Sequence, residues 1–171
     1  MSEAIAEPIL TPIAAPVLDD RAQSRAVASR LIMRFEGFSR HAYRDGGGKW
    51  TIGYGSTMID GHPVLATTPD ITTEQAVAMM QDELDHTADR VDGMVSAPLM
   101  ITQRAVLYSL AFNIGTGALR TSTLLRRLNE GHLQAAADQF EAWVNISGKP
   151  DKGLKNRRAD ERDLFLGITE A

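Results

Sequence analysis

Apolar side chains recur at helical spacing along much of this chain. In residues 21–35, Val27, Leu31 and Phe35 lie four positions apart, which predicts an amphipathic helix that Gly37 can end. Thr72 and Gln75 have the spacing of a capping box and predict the start of a second helix. The apolar stripe of that long helix consists of Val77, Met80, Leu84, Ala88, Val91 and Val95.

The second half of the chain is also patterned for helices. Residues 105–114 are apolar on nearly every side, which predicts a buried central helix. Thr102 is the candidate cap of this helix, and Gly115 and Gly117 are the residues expected to stop it. Shorter apolar stripes predict three further helices, at residues 122–129, 133–144 and 156–166.

The pattern between the first two helices is that of strands and turns. Residues 49–54 alternate and are rich in β-branched and aromatic side chains, which predicts a strand after a turn at the three glycines 46–48. Residues 59–71 have the glycine and prolines of a loop. The sequence therefore predicts an α+β fold, with a small β-hairpin lobe at about 36–72 and a larger helical lobe at about 73–171 plus the first helix. The long second helix would join the two lobes, with a cleft between them.

Composition narrows the class of protein. The 171 residues carry a net charge of −4, which argues against nucleic acid as the main partner because phosphate recognition needs a basic face. Residues 100–171 have 10 basic and 8 acidic side chains, a net of +2, which suits either an anionic polymer or ordinary surface scatter. The chain has no cysteine, and its four histidines lack metal-ligand spacing, so neither a metal nor an organic cofactor is expected.

Residues 1–20 are interpreted as an extended arm that precedes a catalytic domain at 21–171. Pro8, Pro12 and Pro16 interrupt its apolar stretch, and the first basic residue is Arg21. A secretory signal needs a basic start and an unbroken apolar core, so no signal peptide and no stable membrane insertion are expected. A docking role for the arm is an open alternative.

One carboxylate stands at the predicted end of the first helix. Glu36 lies between Phe35 and Gly37, in an apolar neighbourhood; Asp45 follows nine residues later in the turn, and Thr51 six residues after that. Glycosidic cleavage needs a carboxylic acid with a raised pKa and a second polar group that manages water. A chain that leaves a helix, turns and returns can bring these three side chains to one cleft wall. Taken singly, they are an ordinary surface carboxylate, a turn residue and a strand former.

Residues 35–57 read FEGFSRHAYRDGGGKWTIGYGST. This string resembles the signature of the T4-type lysozymes, glycoside hydrolase family 24, in which Glu is followed by Asp or Cys nine positions on, Thr six further, and an I-G-Y/I-G run. Two later blocks resemble the phage P22-like branch of that family, LAFNIG at residues 110–115 and GLKNRRADER at residues 153–162. The resemblance covers about residues 24–167, and three ordered blocks make it specific.

The resemblance implies a lysozyme-like fold and a muramidase. Members of the family hydrolyse the β-1,4 bond between N-acetylmuramic acid and N-acetylglucosamine. Glu36 would be the general acid, and Asp45 and Thr51 would position a water on the opposite sugar face, which gives inversion. Arg157 aligns with a basic residue that pairs with the catalytic Glu, with Arg158 as the neighbouring alternative.

The resemblance also implies substrate contacts on both sides of the cleft, at Tyr54, Gly55, Asn113, Ser122 and Thr123. Asn113 has a second interpretation as a helix cap. Trp50 adjoins Thr51 in sequence but should point to the opposite face of the strand.

The favoured hypothesis is an active muramidase that serves as a phage or prophage endolysin, acts on bacterial peptidoglycan and is a monomer. Synthesis in the host cytoplasm without a signal peptide would require release by a holin, or carriage on the virion, to reach the periplasmic cell wall. A lytic transglycosylase and a non-catalytic peptidoglycan-binding tail component are the alternatives. Intact Glu36, Asp45 and Thr51 favour a catalyst over a binder, and the water-handling pair favours hydrolysis.

Overall fold

A computed structural model describes residues 19–169. Residues 1–18, which hold nearly all of the arm predicted at 1–20, and residues 170–171 lie outside the described part of the chain. The helices are α1 (Asp20–Glu36), α2 (Thr73–Asp92), α3 (Ile101–Ile114), α4 (Thr116–Arg120), α5 (Thr123–Asn129), α6 (Leu133–Ala137), a 3₁₀ helix (Asp138–Trp143) and α7 (Lys152–Leu166). The strands are β1 (Ser39–Arg44), β2 (Trp50–Gly53), β3 (Met58–Ile59), β4 (His62–Pro63), β5 (Asn145–Ile146) and β6 (Lys149–Pro150).

The predicted α+β class is confirmed, with helices in the majority. In residues 19–169 the strands form three separate two-stranded antiparallel sheets, β1–β2, β3–β4 and β5–β6. The first two hairpins lie between α1 and α2, in what we call the hairpin region, residues 39–63. α2 contacts both β2 and α3, so it joins the hairpin region to the helices as the sequence predicts. None of the helices within residues 19–169 is long and apolar enough to span a membrane.

The boundaries of α1 and α2 follow from local chemistry. The side chain of Asp19 accepts the backbone N–H of Ala22 and starts α1, and Gly37 ends it with a φ of 68°. The predicted capping box of α2 is confirmed, since Thr72 and Gln75 each bond the other's backbone.

Some sequence-based boundaries were wrong. Residues 59–71 were predicted as a loop but contain part of the β3–β4 hairpin, whose turn places Asp60 at a φ of 49°. Thr102 does not cap α3 but lies inside it; the backbone N–H of Met100 donates to the side chain of Gln103 at the true start. Gly117 does not stop a helix either, because it lies within α4.

The last helices also differ from the prediction. The stretch 133–144 divides into α6 and a 3₁₀ helix. α7 begins at Lys152 rather than at Asn156, because the Asp151 side chain accepts the backbone N–H of Leu154 and caps the helix earlier.

The buried core is built around α3. α1, α2 and α7 all pack against this helix, which confirms the central position predicted for the apolar run. Two of its buried residues are polar, Gln103 at its first turn and Ser109 on the side that meets α7. The buried residues of α3 are Gln103, Ala105, Val106, Leu107, Tyr108, Ser109, Leu110 and Ala111.

The hairpin region is fixed to α2 through a glycine. Gly53 ends β2 with a φ of 67°, and a Cβ placed there would lie 3.1 Å from Cβ of Ala76 and 3.3 Å from Cδ1 of Ile71. A side chain at this position would push β2 away from α2. Gly53 therefore sets how closely the strand that carries Thr51 approaches the long helix.

Gly53→Ala is expected to destabilise the protein by more than backbone strain alone. The left-handed φ costs about 1–2 kcal/mol for a residue with Cβ, and overpacking against Ala76 adds about 1–3 kcal/mol. Gly61→Ala is the matched control, since Gly61 has a φ of 77° and nothing within 4 Å of its Cβ position. Urea unfolding of both variants measures the difference; equal losses of free energy would contradict the close packing at Gly53.

Candidate active site

Glu36 is the last residue of α1, and its carboxylate lies beneath the hairpin region. Its side chain is 20% exposed. Nη1 of Arg157 donates to Oε1 of Glu36 at 2.5 Å. Oε2 lies 3.5 Å from where a Cβ on Gly55 would be, so the absence of a side chain at Gly55 leaves the carboxylate room beside the turn that follows β2. The end of α1 and this turn thus meet at the carboxylate.

Glu36 has both an aromatic and a basic residue beside it. The ring of the preceding Phe35 stacks on the Arg157 guanidinium, with Cζ 4.9 Å from the ring centroid. The Arg157 side chain is 6% exposed and reaches Glu36 from α7, at the other end of the chain. The pairing implied for Arg157 is therefore the one the structure has, and Arg158, the alternative, points elsewhere.

Asp45 organises the turn between β1 and β2. Its Oδ1 accepts the backbone N–H of Gly47 at 2.9 Å and of Lys49 at 2.8 Å. The backbone N–H of Asp45 donates to the carbonyl of Lys49, which closes the hairpin. Oδ2 makes no hydrogen bond to another residue in the 19–169 range, so the turn holds one carboxylate oxygen of a residue that lines the cleft.

Thr51 and Tyr43 are paired across the hairpin and face the same side. Thr51 is 2% exposed, and its hydroxyl donates to the carbonyl of Lys49 at 3.3 Å. Tyr43 is its partner in the β1–β2 register and is 37% exposed. Trp50 pairs with Arg44 on the opposite face, where the guanidinium carbon lies 4.8 Å from the indole ring, as the strand period predicts.

The three predicted catalytic residues lie on one cleft between the hairpin region and the helices. The part around them has a volume of about 380 Å³. It adjoins a larger part of about 830 Å³ that runs between β3–β4 and α2. The two parts share Thr57, Glu83, Phe112 and Gly115. The lining of the smaller part is Glu36, Tyr43, Asp45, Lys49, Thr51, Gly55, Thr57, Glu83, Phe112, Asn113, Ile114 and Gly115.

Asn113 and Gly55 are the two predicted substrate contacts that lie on this cleft. Asn113 belongs to α3, two residues before the Gly115 that ends the helix, and it does not cap it. Its side-chain oxygen accepts a hydrogen bond from Nη2 of Arg158. Asn113 thus faces the cleft from the helical wall while Arg158 holds it from behind.

Tyr54, Ser122 and Thr123 do not line either part of this cleft. Tyr54 is buried and packs on Phe38 with ring centroids 5.7 Å apart. The Ser122 hydroxyl accepts the backbone N–H of Leu125 and caps α5, and Thr123 is the first residue of that helix. Substrate contact at these three positions stays a prediction.

Two residues near Glu36 were not identified from the sequence. Glu83 faces the cleft from α2; partial burial raises the pKa of its carboxyl, and the negative charges of Glu36 and Asp82 raise it further. Burial likewise raises the pKa of Tyr43, with Glu36 and Asp45 adding to the shift. The sequence signal for Glu83 is weak, because it is one of several acidic residues on the polar side of α2.

Glu161 lies behind the cleft and was not identified from the sequence, and Arg158 was considered only as the alternative to Arg157. Glu161 is fully buried and bonds both Arg157 and Arg158. Its spacing of four and three residues from the two arginines is a helical ion-pair pattern that could have been read from the sequence.

Glu83→Gln is expected to raise the thermal midpoint at neutral pH. A carboxyl whose pKa is raised on folding binds its proton more tightly in the native state, so its contribution to stability falls as pH rises through the titration. The gain should disappear near pH 3, where the carboxyl is protonated in both states. Midpoints measured at the two pH values by circular dichroism test this.

Glu74→Gln is the matched control on the same helix. A hydrogen bond to its own backbone and one to Thr72 lower the pKa of Glu74, so its ionised form stabilises the fold above the ordinary pKa. This variant should lose stability at neutral pH and lose none near pH 3. The same sign of change for both variants at neutral pH would contradict the charge repulsion assigned to Glu83.

Comparisons with known proteins identify the family of this chain. The Phage lysozyme family matches residues 33–161. The endolysin of Salmonella phage P22 is 41% identical over 136 residues, which cover 79% of this chain and 92% of that protein. The endolysin of Bacillus phage B103 is 39% identical over 138 residues, 80% of this chain, but the chain spans only about half (51%) of that relative.

A solved structure has the same fold. The endolysin from Escherichia coli O157:H7 phage FAHEc1 superposes with a TM-score of 0.77 and 33% identity, and the match covers 85% of this chain and 94% of that one. Since the family match extends from the end of α1 into α7 and so contains Glu36, Asp45, Thr51 and Arg157, this chain belongs to the phage lysozyme family.

Proposed function

We propose that this protein is a muramidase that hydrolyses the β-1,4 bond between N-acetylmuramic acid and N-acetylglucosamine in bacterial peptidoglycan. The observation that carries the proposal is the meeting of Glu36, Asp45 and Thr51 on one cleft, with Arg157 bonded to Glu36. Its relatives are endolysins, so lysis of the host cell wall by a phage is the setting.

In this reaction Glu36 is the general acid. Arg157 holds Oε1, which leaves Oε2, on the Gly55 side, as the oxygen that carries the proton to the leaving sugar oxygen. The bond to Arg157 fixes the orientation of the Glu36 carboxylate at the cleft.

Asp45 and Thr51 handle the water. The turn fixes Oδ1 of Asp45 through two backbone N–H groups, so Oδ2 is pre-oriented to accept a proton from a water in the cleft. The nearly buried Thr51 hydroxyl lies on the same face of the hairpin and supplies a second contact for that water. Attack from the face opposite Glu36 inverts the anomeric carbon.

The enzyme must also reach the bacterial cell wall, and the cleft has no bearing on that step. We propose release through a holin, or carriage on the virion, as the route to the periplasmic peptidoglycan. Support comes from the endolysin relatives alone.

Glu36→Gln is expected to abolish release of reducing muramic acid ends from purified peptidoglycan, with a loss of at least about 10³-fold because the proton donor is gone. The thermal midpoint should stay the same or rise, since Arg157 keeps Glu161 as a partner and a functional carboxylate is often costly to the fold. Glu141→Gln, an exposed carboxylate on the 3₁₀ helix, is the control and should retain full activity. Release of reducing ends by Glu36→Gln above a few per cent of the wild-type rate would remove Glu36 from the acid role.

Inversion gives a direct product test. Proton NMR of the digest of a soluble glycan strand should show the new N-acetylmuramic acid end first as the α anomer, because the substrate bond is β. An initial β anomer would contradict water attack from the opposite face. Mass spectrometry separates the other reactions: anhydro-muramic ends would identify a lytic transglycosylase, and no released fragments would identify a non-catalytic binder.

A further inference from the structure

A buried ionic cluster lies directly behind the active-site cleft, on one face of α7. Glu161 is fully buried, and the side chains of Arg157 and Arg158 are 6% and 1% exposed. Oε1 of Glu161 accepts from Nε of Arg157 at 3.1 Å and from the Ser109 hydroxyl at 3.0 Å. Oε2 accepts from Nη1 of Arg158. One carboxylate therefore holds two adjacent arginines and is itself held by α3.

The two arginines leave this carboxylate in different directions. Arg157 extends to Glu36 on α1 and also donates through Nη2 to the Ser109 carbonyl at 3.3 Å. Arg158 extends to the side-chain oxygen of Asn113 on α3 and donates through Nε to the Trp143 carbonyl at 3.2 Å. Glu36 and Asn113 both line the same part of the cleft. Each arginine thus supports a different residue of the cleft lining.

The charges of the cluster require Glu161. Two neighbouring guanidinium groups repel each other, and burial lowers the pKa of Arg158, an effect to which Arg157 adds and which Glu161 opposes. With Glu36 and Glu161 the cluster has two positive and two negative groups. Removing one partner of a buried ionic network leaves an uncompensated charge, which the structure must rearrange to solvate or to pair.

We propose that Glu161 is a positioning residue of the muramidase. It fixes the orientation of both arginine side chains and so holds the side chains of Glu36 and Asn113 in place in the cleft lining. The inference rests on the proposed function of Glu36 as general acid. Glu161 touches neither the substrate space nor the reacting atoms, and it acts through Arg157 and Arg158. Its role goes beyond holding α7 to α3.

The direction in which loss of the Glu161 charge changes the protonation of Glu36 can be predicted. The charged or titratable groups that line the smaller part of the cleft with Glu36 are Tyr43 from β1, Asp45 and Lys49 from the turn and Glu83 from α2. Behind the cleft, Arg157 bonds Glu36, and the charge of Arg158 also interacts with it. Without Glu161, the positive charge of Arg157 acts on Glu36 with less compensation. The ionised form of Glu36 is then favoured, and the acid form needed for catalysis persists only to a lower pH.

The test measures kcat, KM and pH profiles of wild type, Glu161→Gln and Glu161→Asp on a soluble glycan strand. Glu161→Gln is expected to lower kcat at the optimum by about 10- to 100-fold, as a misplaced catalytic group does. The alkaline limb of its kcat/KM profile should move to lower pH. Glu161→Asp retains the charge and should recover much of the rate and move the limb back toward wild type.

Asp92→Asn is the control for loss of a buried charge. Asp92 is 7% exposed, bonds Nη1 of Arg104 at 2.7 Å and accepts from the Tyr108 hydroxyl at 2.8 Å, and it does not line the cleft. This variant should lose stability and yet keep the wild-type kcat per folded molecule and the wild-type pH profile. A shifted alkaline limb in Asp92→Asn would overturn the inference, since the shift would then follow from lost stability.

Ser109→Ala is a milder variant that tests the positioning role of Glu161 if Glu161→Gln does not fold. It removes one hydrogen bond to Oε1 of Glu161 without changing any charge, and it should give a smaller rate loss. Variants at Glu161 and Ser109 with wild-type kcat per folded molecule and unshifted limbs would overturn the positioning role alone. A wild-type protein that releases no reducing ends would instead overturn the proposed function, and this inference with it.

Discussion

The ion pair between Glu36 and Arg157 is the contact on which the site depends. It joins the last residue of the first helix to the first turns of the last helix, across the buried α3. A largely buried pair of this kind gains little net stability unless its remaining donors and acceptors are satisfied. Here Phe35, Ser109 and Glu161 complete the surroundings of Arg157, so the pair fixes a direction for the carboxylate as well as holding two helices together.

The other half of the site depends on backbone geometry rather than on charge. The Asp45 turn is closed by backbone N–H groups, and the antiparallel register brings Thr51 opposite Tyr43 on the face that meets the cleft. Glycine allows this hairpin to approach its supports closely: Gly53 against Ala76 of α2, and Gly55 against the Glu36 carboxylate. The turn of the hairpin and the end of α1 therefore line the same cleft.

The wall of the cleft formed by α2 and α3 has no proposed catalytic residue, and one of its side chains is held by a contact behind it. Asn113 reaches the cleft from the most buried helix and is held from behind by Arg158, while Glu83 brings a further negative charge from α2. Tyr54, Ser122 and Thr123 have structural contacts of their own, in the packing on Phe38 and at the start of α5. The residues that line the cleft thus come from four segments far apart in the chain, namely the end of α1, the hairpin, α2 and the end of α3.

Period and local chemistry in the sequence determined the helices, the hairpin, the capping box at Thr72 and the central burial of α3, because each depends on side chains within a few residues. The motif spacing also brought Glu36, Asp45 and Thr51 together as candidates. The family resemblance implies the pairing of Arg157 with Glu36, which the structure contains. Only the tertiary structure decided that Arg158 supports Asn113, that Glu161 lies behind the site and that Glu83 lines the cleft. These contacts join residues far apart in sequence, and a local pattern has no information about which distant side chain will be packed against it.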